Sequence, residues 1–160
     1  MFRIVSGGQT GVDRGALDAA LDLAVECGGW CPAGRLAADG TIPERYPVIE
    51  LMDGGYAERT AQNVADSDGA LIISNGKPIG GTSETIERCV EKDKPYLIID
   101  YREMSTAEAK EKALKFLQSR HIRRLNVAGP RASQWPEGHA LTYQIMSAIL
   151  RRISGQKDAN

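Results

Sequence analysis

The stretch Ser6-Gly7-Gly8-Gln9-Thr10-Gly11-Val12-Asp13-Arg14 decides how the rest of the chain is read. A short apolar run, Phe2 to Val5, comes directly before it. A segment with helical periodicity, from Asp13 to about Glu26, follows it. Strand, glycine-rich turn and helix in that order gather backbone N–H groups and a helix N-terminus around one point, which attracts phosphate or another oxyanion. In the helix, Leu17, Ala20, Leu21, Ala24 and Val25 form one apolar stripe. Thr10 and Asp13 take the places of a capping box, with Asp standing in for Glu. Gly28-Gly29 is the expected helix end.

Downstream, strand and helix alternate. Gly29 to Pro32 reads as a very short second strand. Residues 32–55 hold three prolines and many charges without a clear period, and read as a long loop folded over the glycine-rich site. Tyr56 to Ser67 reads as a short helix. Gly69–Ser74 is a continuous apolar run, as expected of a strand buried on both faces of a parallel sheet. Asn75 to Gly81 is a second glycine-rich loop, opening a helix from about Thr82 to Glu91. A strand at 95–100, an amphipathic helix at 105–118, a strand at 124–128 and a helix from about Glu137 to Ile153 complete the pattern. Such alternation builds right-handed βαβ units. The expected fold is a three-layer α/β/α Rossmann-like sandwich with a mostly parallel sheet of about five strands. It forms a single domain over 1–154, with a polar tail at 155–160. Ligands in such sheets bind at the carboxyl ends of the strands.

The bulk properties exclude several classes. A hydrophobic fraction of 42% in 160 residues suffices for a sizeable core. A net charge of -1 argues against a nucleic-acid binder. No apolar run approaches the ~18–20 residues of a membrane helix. There is no leader pattern, and three cysteines (Cys27, Cys31, Cys89) form no disulfide framework, so the expected compartment is the cytoplasm. The cysteine spacing does not suit zinc, and no metal site is expected.

The first loop is not a Walker A loop, because no Gly-Lys-Ser/Thr follows. It also lacks the ribose-holding carboxylate of a dinucleotide fingerprint, and Arg35 stands in that region instead. An arginine there favours an anion, so Arg35 joins the ligand-binding candidates as a source of positive charge. The first-loop candidates are Gly7, Gly8, Gln9, Thr10, Gly11, Asp13 and Arg14, with the N–H groups of Gly8 to Gly11 on the phosphate. Arg14 either faces that anion or is a solvated surface arginine. The second loop contributes Gly80, Gly81, Thr82, Ser83 and Thr85, flanked by Asn75 and Lys77. Glu84 is either a helix-dipole residue or a catalytic acid/base. No nucleophile with a paired base is visible.

These blocks resemble the molybdenum cofactor carrier protein family. Ser6 to Arg14 matches its opening motif. Gly29 to Arg35 with Asp39-Gly40 and Ile42-Pro43 is similar to its second block, and Arg59-Thr60 with Asn63-Val64 and Asp66 to Asp68 to its third. Gly80 to Thr82 with Thr85 is similar to its fourth. The resemblance implies binding of molybdopterin, the molybdenum cofactor, through its phosphate, in a homo-oligomer (dimer or tetramer). The family shares a Rossmann-like superfamily with the "lonely guy" phosphoribohydrolases, whose motif is Pro-Gly-Gly-x-Gly-Thr-x-x-Glu. Here Pro78-Ile-Gly-Gly-Thr-Ser-Glu84 lacks that spacing. The expected function is therefore a carrier of a small phosphorylated pterin- or nucleotide-like ligand rather than an enzyme. The alternatives are a nucleotide N-glycosidic hydrolase using Glu84 and a nucleotide-sensing protein.

Overall fold

A computed structural model of the chain describes residues 1–155. In chain order the elements are β1 (Arg3–Val5), α1 (Val12–Asp22), β2 (Glu26–Cys31), a 3-10 turn (Ala33–Arg35), β3 (Leu36–Ala37), β4 (Gly40–Thr41) and β5 (Val48–Glu50). Then follow α2 (Tyr56–Ala65), β6 (Gly69–Ser74), α3 (Gly80–Glu91), β7 (Tyr96–Asp100), α4 (Thr106–Ser119), β8 (Arg124–Ala128) and α5 (Gly138–Ser154). Gly155 closes α5 in the left-handed conformation at φ 72°, and residues 156–160 of the expected tail lie outside the described residues.

Among the described residues the main sheet has six strands, in the order β5-β2-β1-β8-β6-β7, and all five pairings between neighbouring strands are parallel. The sixth strand is β5, which lies in what reads as loop in the sequence. Three residues bracketed by Pro47 are too short for a period to show, and the strand forms because Val48 and Ile49 pair with Gly29 and Trp30 of β2. The rest of residues 32–55 carries the antiparallel hairpin β3–β4.

The last strand made, β8, sits in the middle, between β1 and β6. Counting β8 and α5 before β1 turns the order into an unbroken 4-3-2-1-5-6 series that reverses at β8. This is the switch point of a doubly wound sheet, and a crevice opens beyond the strand ends there.

Helices α1, α4 and α5 cover one face of the sheet, and α2 and α3 cover the other. The strand residues sort by parity. Leu71 and Ile73 of β6 join Ile4, Ile99, Leu125 and Val127 under α1, α4 and α5, whereas Ala70 and Ile72 pack with Val64 and Cys89 of α2 and α3. This confirms the three-layer reading.

The end of α1 differs from the sequence expectation. The helix stops at Asp22, and Leu21 of its apolar stripe is 39% exposed. Gly28 and Gly29 are not a helix end but part of β2, because Glu26 to Gly28 pair with Arg3 to Val5. The reversal falls at Ala24, with φ 53°, and the Val25 N–H donates to the Ala20 carbonyl. The capping box also does not form. The N-cap is Gly11, while the Thr10 hydroxyl accepts from the Ala132 N–H.

Candidate functional site

A cleft of about 130 Å³ lies beyond the carboxyl ends of β1, β8 and β6. Its walls come from Gly7 and Gln9 after β1, Asn126 to Gly129 at the end of β8, and the start of α3 after β6. Arg59, Thr60 and Asn63 of α2 close one side, and Arg131 and Gln134 of the β8–α5 loop close another. The two glycine-rich stretches thus meet, as their positions after strand ends imply.

The two loops do different work. Helix α3 starts at Gly80 with Ile79 as N-cap, no side-chain cap and no acidic residue in its first turn. The N–H groups of Gly80, Gly81 and Thr82 have no intrahelical acceptor, and those residues line the cleft. An uncapped helix N-terminus favours an anion through both its donors and its dipole.

Helix α1, by contrast, has its N-terminus plugged. The Pro130 carbonyl accepts from the Val12 N–H at 3.3 Å. The Gln9 N–H donates to Asp13 Oδ2 at 3.2 Å, and the Thr10 N–H donates to Gln9 Oε1 at 2.9 Å. The backbone donors expected to hold a phosphate are thus in part already used. Of the first loop, Gly7, Gln9 and Asp13 line the cleft, and Gly8, Thr10, Gly11 and Arg14 do not.

Gln9 instead offers its side chain. Its Oε1 accepts from the N–H groups of Thr10 and Ala38, at 2.9 and 2.8 Å, which fixes the amide's orientation. Its Nε2 is buried without a partner among the described residues, in a residue 5% exposed. The Arg59 Nε likewise has no partner among them. A buried donor without an acceptor costs about 1–3 kcal/mol, and a ligand oxygen would remove that cost.

Positive charge comes from two arginines outside both glycine loops. Asn63 exchanges hydrogen bonds with the Trp30 backbone, accepting from its N–H at 2.7 Å and donating to its carbonyl at 2.9 Å. This fixes α2 on the end of β2 and places Arg59, one turn earlier, over the cleft. Arg59 Nη1 stands 3.4 Å from Asp13 Oδ2. Arg131 has no carboxylate partner among the described residues, and its guanidinium lies 5.8 Å from the Tyr56 ring centre, as does that of Arg59. Buried Trp135, packed on Tyr101, anchors the loop that carries Arg131.

Asp13 is the cleft's carboxylate and is nearly fully buried. Burial pushes its carboxyl above the ordinary carboxylate range, against the opposing pull of Arg59, the Gln9 N–H and Arg14. No group of three or more His, Cys, Asp or Glu side chains able to hold a metal occurs among the described residues.

The other sequence candidates lie elsewhere. Arg14 neither faces an anion nor is solvated. It is buried, donating to the Gly8 carbonyl at 3.0 Å and to both oxygens of Asp39, at 2.6 and 2.8 Å. Arg35 spends its guanidinium on the carbonyls of Ile42, Val48, Pro43 and Tyr46, tying the β3–β4 hairpin to β5. Asn75 and Lys77 are exposed and outside the cleft, and Ser83 is also outside its lining. Glu84 pairs with Arg88 at 3.3 Å along α3 and does not line the cleft. Three residues after Thr82, where the phosphoribohydrolase motif has its glutamate, stands Thr85. Thr85 does line the cleft, and its hydroxyl donates to the Gly81 carbonyl.

Sequence reasoning missed Arg59, Thr60, Asn63, Asn126, Gly129, Arg131 and Gln134 as site residues. Arg59, Thr60 and Asn63 belong to a block that resembles the carrier family, so that signal was present. Gly129-Pro130-Arg131 is a third turn between a strand and a helix, but without a glycine pair to mark it.

A family model described as "Circularly permutated YpsA SLOG family" matches residues 4–150. Permutation is also what the strand order expresses, with β8 and α5 at the end of the chain but at the centre of the series. A crystal structure from Syntrophus aciditrophicus SB, described as "Putative molybdenum carrier protein", is 43% identical, with a TM-score of 0.91 over 94% of this chain and 95% of that one. None of the curated proteins compared with the chain matches it.

Proposed function

The chain belongs to the Circularly permutated YpsA SLOG family, and from that premise we propose that it is a carrier that holds the molybdenum cofactor by its phosphate without transforming it. The observation that carries this reading is the convergence of three donor sets on one cleft. The free N–H groups at the start of α3, the guanidiniums of Arg59 and Arg131, and the unpartnered Gln9 amide all border it. These groups suit the oxygens of a phosphate. The cleft is open to solvent on one side, so the pterin end of the ligand would extend from the phosphate towards its mouth. The description of the Syntrophus aciditrophicus structure supports molybdenum cargo rather than another phosphorylated compound.

The carrier works in the cytoplasm and as a homo-oligomer on this reading. All three cysteines are free, and no helix among the described residues is long and apolar enough to cross a membrane. Ile49 and Met52, exposed at the edge strand β5, offer apolar surface for self-association. Light scattering after gel filtration tests the assembly.

The test of function is direct. The purified chain is incubated with molybdenum cofactor, gel-filtered, and assayed for molybdenum and for the fluorescence of the oxidised pterin. Both should travel with the protein, and Arg131→Ala should lose most of each. A thermal-shift panel of nucleoside monophosphates provides the contrast. Release of free base from any of them would overturn the carrier reading in favour of a hydrolase. A strong shift with a nucleotide and none with the cofactor would point to a sensor.

A further inference from the structure

An anion cleft with a carboxylate in its wall needs a physical account. Both hydrogen-bonding contacts of the Asp13 side chain end on Oδ2, one from the Gln9 N–H at 3.2 Å and one from Arg59 at 3.4 Å. Oδ1 takes no hydrogen bond among the described residues, yet it is not among the sealed, unpartnered atoms of the interior. In a residue that lines the cleft, it is the oxygen left for the ligand. The charged groups facing Asp13 are Arg59 from α2 and Arg14 from its own helix, and Arg131 borders the same cleft from the β8–α5 loop. The hydrogen bonds of Arg14 go to the Gly8 carbonyl and to Asp39, so they leave Asp13 Oδ1 unoccupied.

We infer that Asp13 makes the cleft selective for an oxyanion that brings its own proton. It admits monohydrogen phosphate or a protonated phosphomonoester and rejects sulfate and molybdate, which carry no proton. This rests on the phosphate-binding reading above and names the selectivity of the same site. A P–OH group donates to the carboxylate, while its other oxygens take the N–H groups of α3 and the arginines. A fully deprotonated oxyanion has only acceptors to set against Oδ1, and two acceptors with no hydrogen between them leave a desolvated charge unpaired. The same geometry lets the missing proton come from solvent. When Asp13 is itself protonated it becomes a donor, and sulfate is then accepted. A phosphomonoester loses its last proton at about pH 6, so it can meet Asp13 through one shared proton, which free molybdate does not carry.

Calorimetric titration of the purified chain with inorganic phosphate, sulfate and molybdate at about pH 8 tests this, since phosphate there still carries one proton and the other two carry none. The wild type should bind phosphate about tenfold tighter than either competitor or better. Asp13→Asn, which can donate as well as accept, should bring the ratio towards one, mainly by strengthening sulfate. In the wild type, sulfate binding should tighten as the pH is lowered towards about 5.5. Equal binding of phosphate and sulfate by the wild type at about pH 8 overturns the inference and leaves the phosphate site standing. An unchanged ratio in a folded Asp13→Asn variant does the same. Binding of none of the three anions overturns the phosphate-site reading as well. The wild-type ratio decides the matter even if the variant does not fold.

Discussion

The guanidinium of Arg59 occupies the space that a side chain at Gly7 would fill. Gly7 ends the first strand's run into the loop, and Arg59 projects from a helix on the other layer, so this contact joins β1 to α2 exactly where the cleft opens. The glycine is present here for room, since its backbone is not in the left-handed region. Gly7→Ala should therefore fold, because the obstructing atoms are the far end of a flexible side chain. It should push Arg59 out of place and weaken phosphate binding about tenfold, with a change in unfolding free energy of about 1 kcal/mol or less. Calorimetric titration beside urea unfolding separates the two effects. A variant that binds normally would show that Arg59 does not act on the ligand.

Gly11 makes the opposite case. Its φ is 85°, and a Cβ there would meet the Pro130 carbonyl at 2.6 Å and the Ala132 nitrogen at 2.8 Å, both backbone atoms. Neither strain nor clash can be relieved by a rotamer change. Gly11→Ala should cost about 2–4 kcal/mol in urea unfolding. It should also disturb the loop that carries Arg131. A loss below about 1 kcal/mol would mean that the β8–α5 loop is not held on the N-terminus of α1.

Arg35 distinguishes a structural arginine from a ligand arginine. Four carbonyl oxygens share its guanidinium, and none belongs to the cleft lining. Arg35→Met should lower stability by about 2–3 kcal/mol and leave the affinity of the remaining folded protein within about twofold. A large affinity loss with unchanged stability would restore Arg35 to the binding site.

The Asp13 carboxyl also shapes the pH dependence of stability. Its folded value is raised, chiefly by burial, from an ordinary 3.8. A raised carboxyl contributes stability that is fully present below the unfolded value and is lost as pH rises through the folded one. The stability difference between wild type and Asp13→Asn should therefore move against the wild type as pH increases from about 4 to 7. Asp39 and Asp100 are shifted down and pull the other way. Comparing the two proteins at each pH removes their contribution. A difference that is flat with pH would show that burial does not govern this group.

The sequence was most legible where one local signal sufficed. The continuous apolar run at Gly69–Ser74 marked a strand covered on both faces. The similar run at Tyr96–Asp100, which reads as another buried strand, is instead the edge strand β7 and fully buries only Ile99. The three layers followed from the alternation of such runs with amphipathic helices. The positions of both glycine loops after strand ends were equally readable. Strand β5 was not, because three residues carry no measurable period and its pairing partner is 19 positions away (Gly29 with Val48). The tasks of the two loops could not be separated either. Both look like anion turns, but only a residue 119 positions downstream, Pro130 against Gly11, closes the first.

By itself, then, the sequence determined the layer architecture, the two turns on one sheet edge and the resemblance to the carrier family. All of these depend on residues close to one another in the chain. Tertiary structure alone decided which groups reach the ligand. A guanidinium's role depends on the acceptors that surround it after folding. Arg14 and Arg35 meet a carboxylate and four carbonyls, while Arg131 meets no carboxylate among the described residues. The insertion of the last strand at the centre of the sheet placed Arg131 beside two loops made more than forty residues before it.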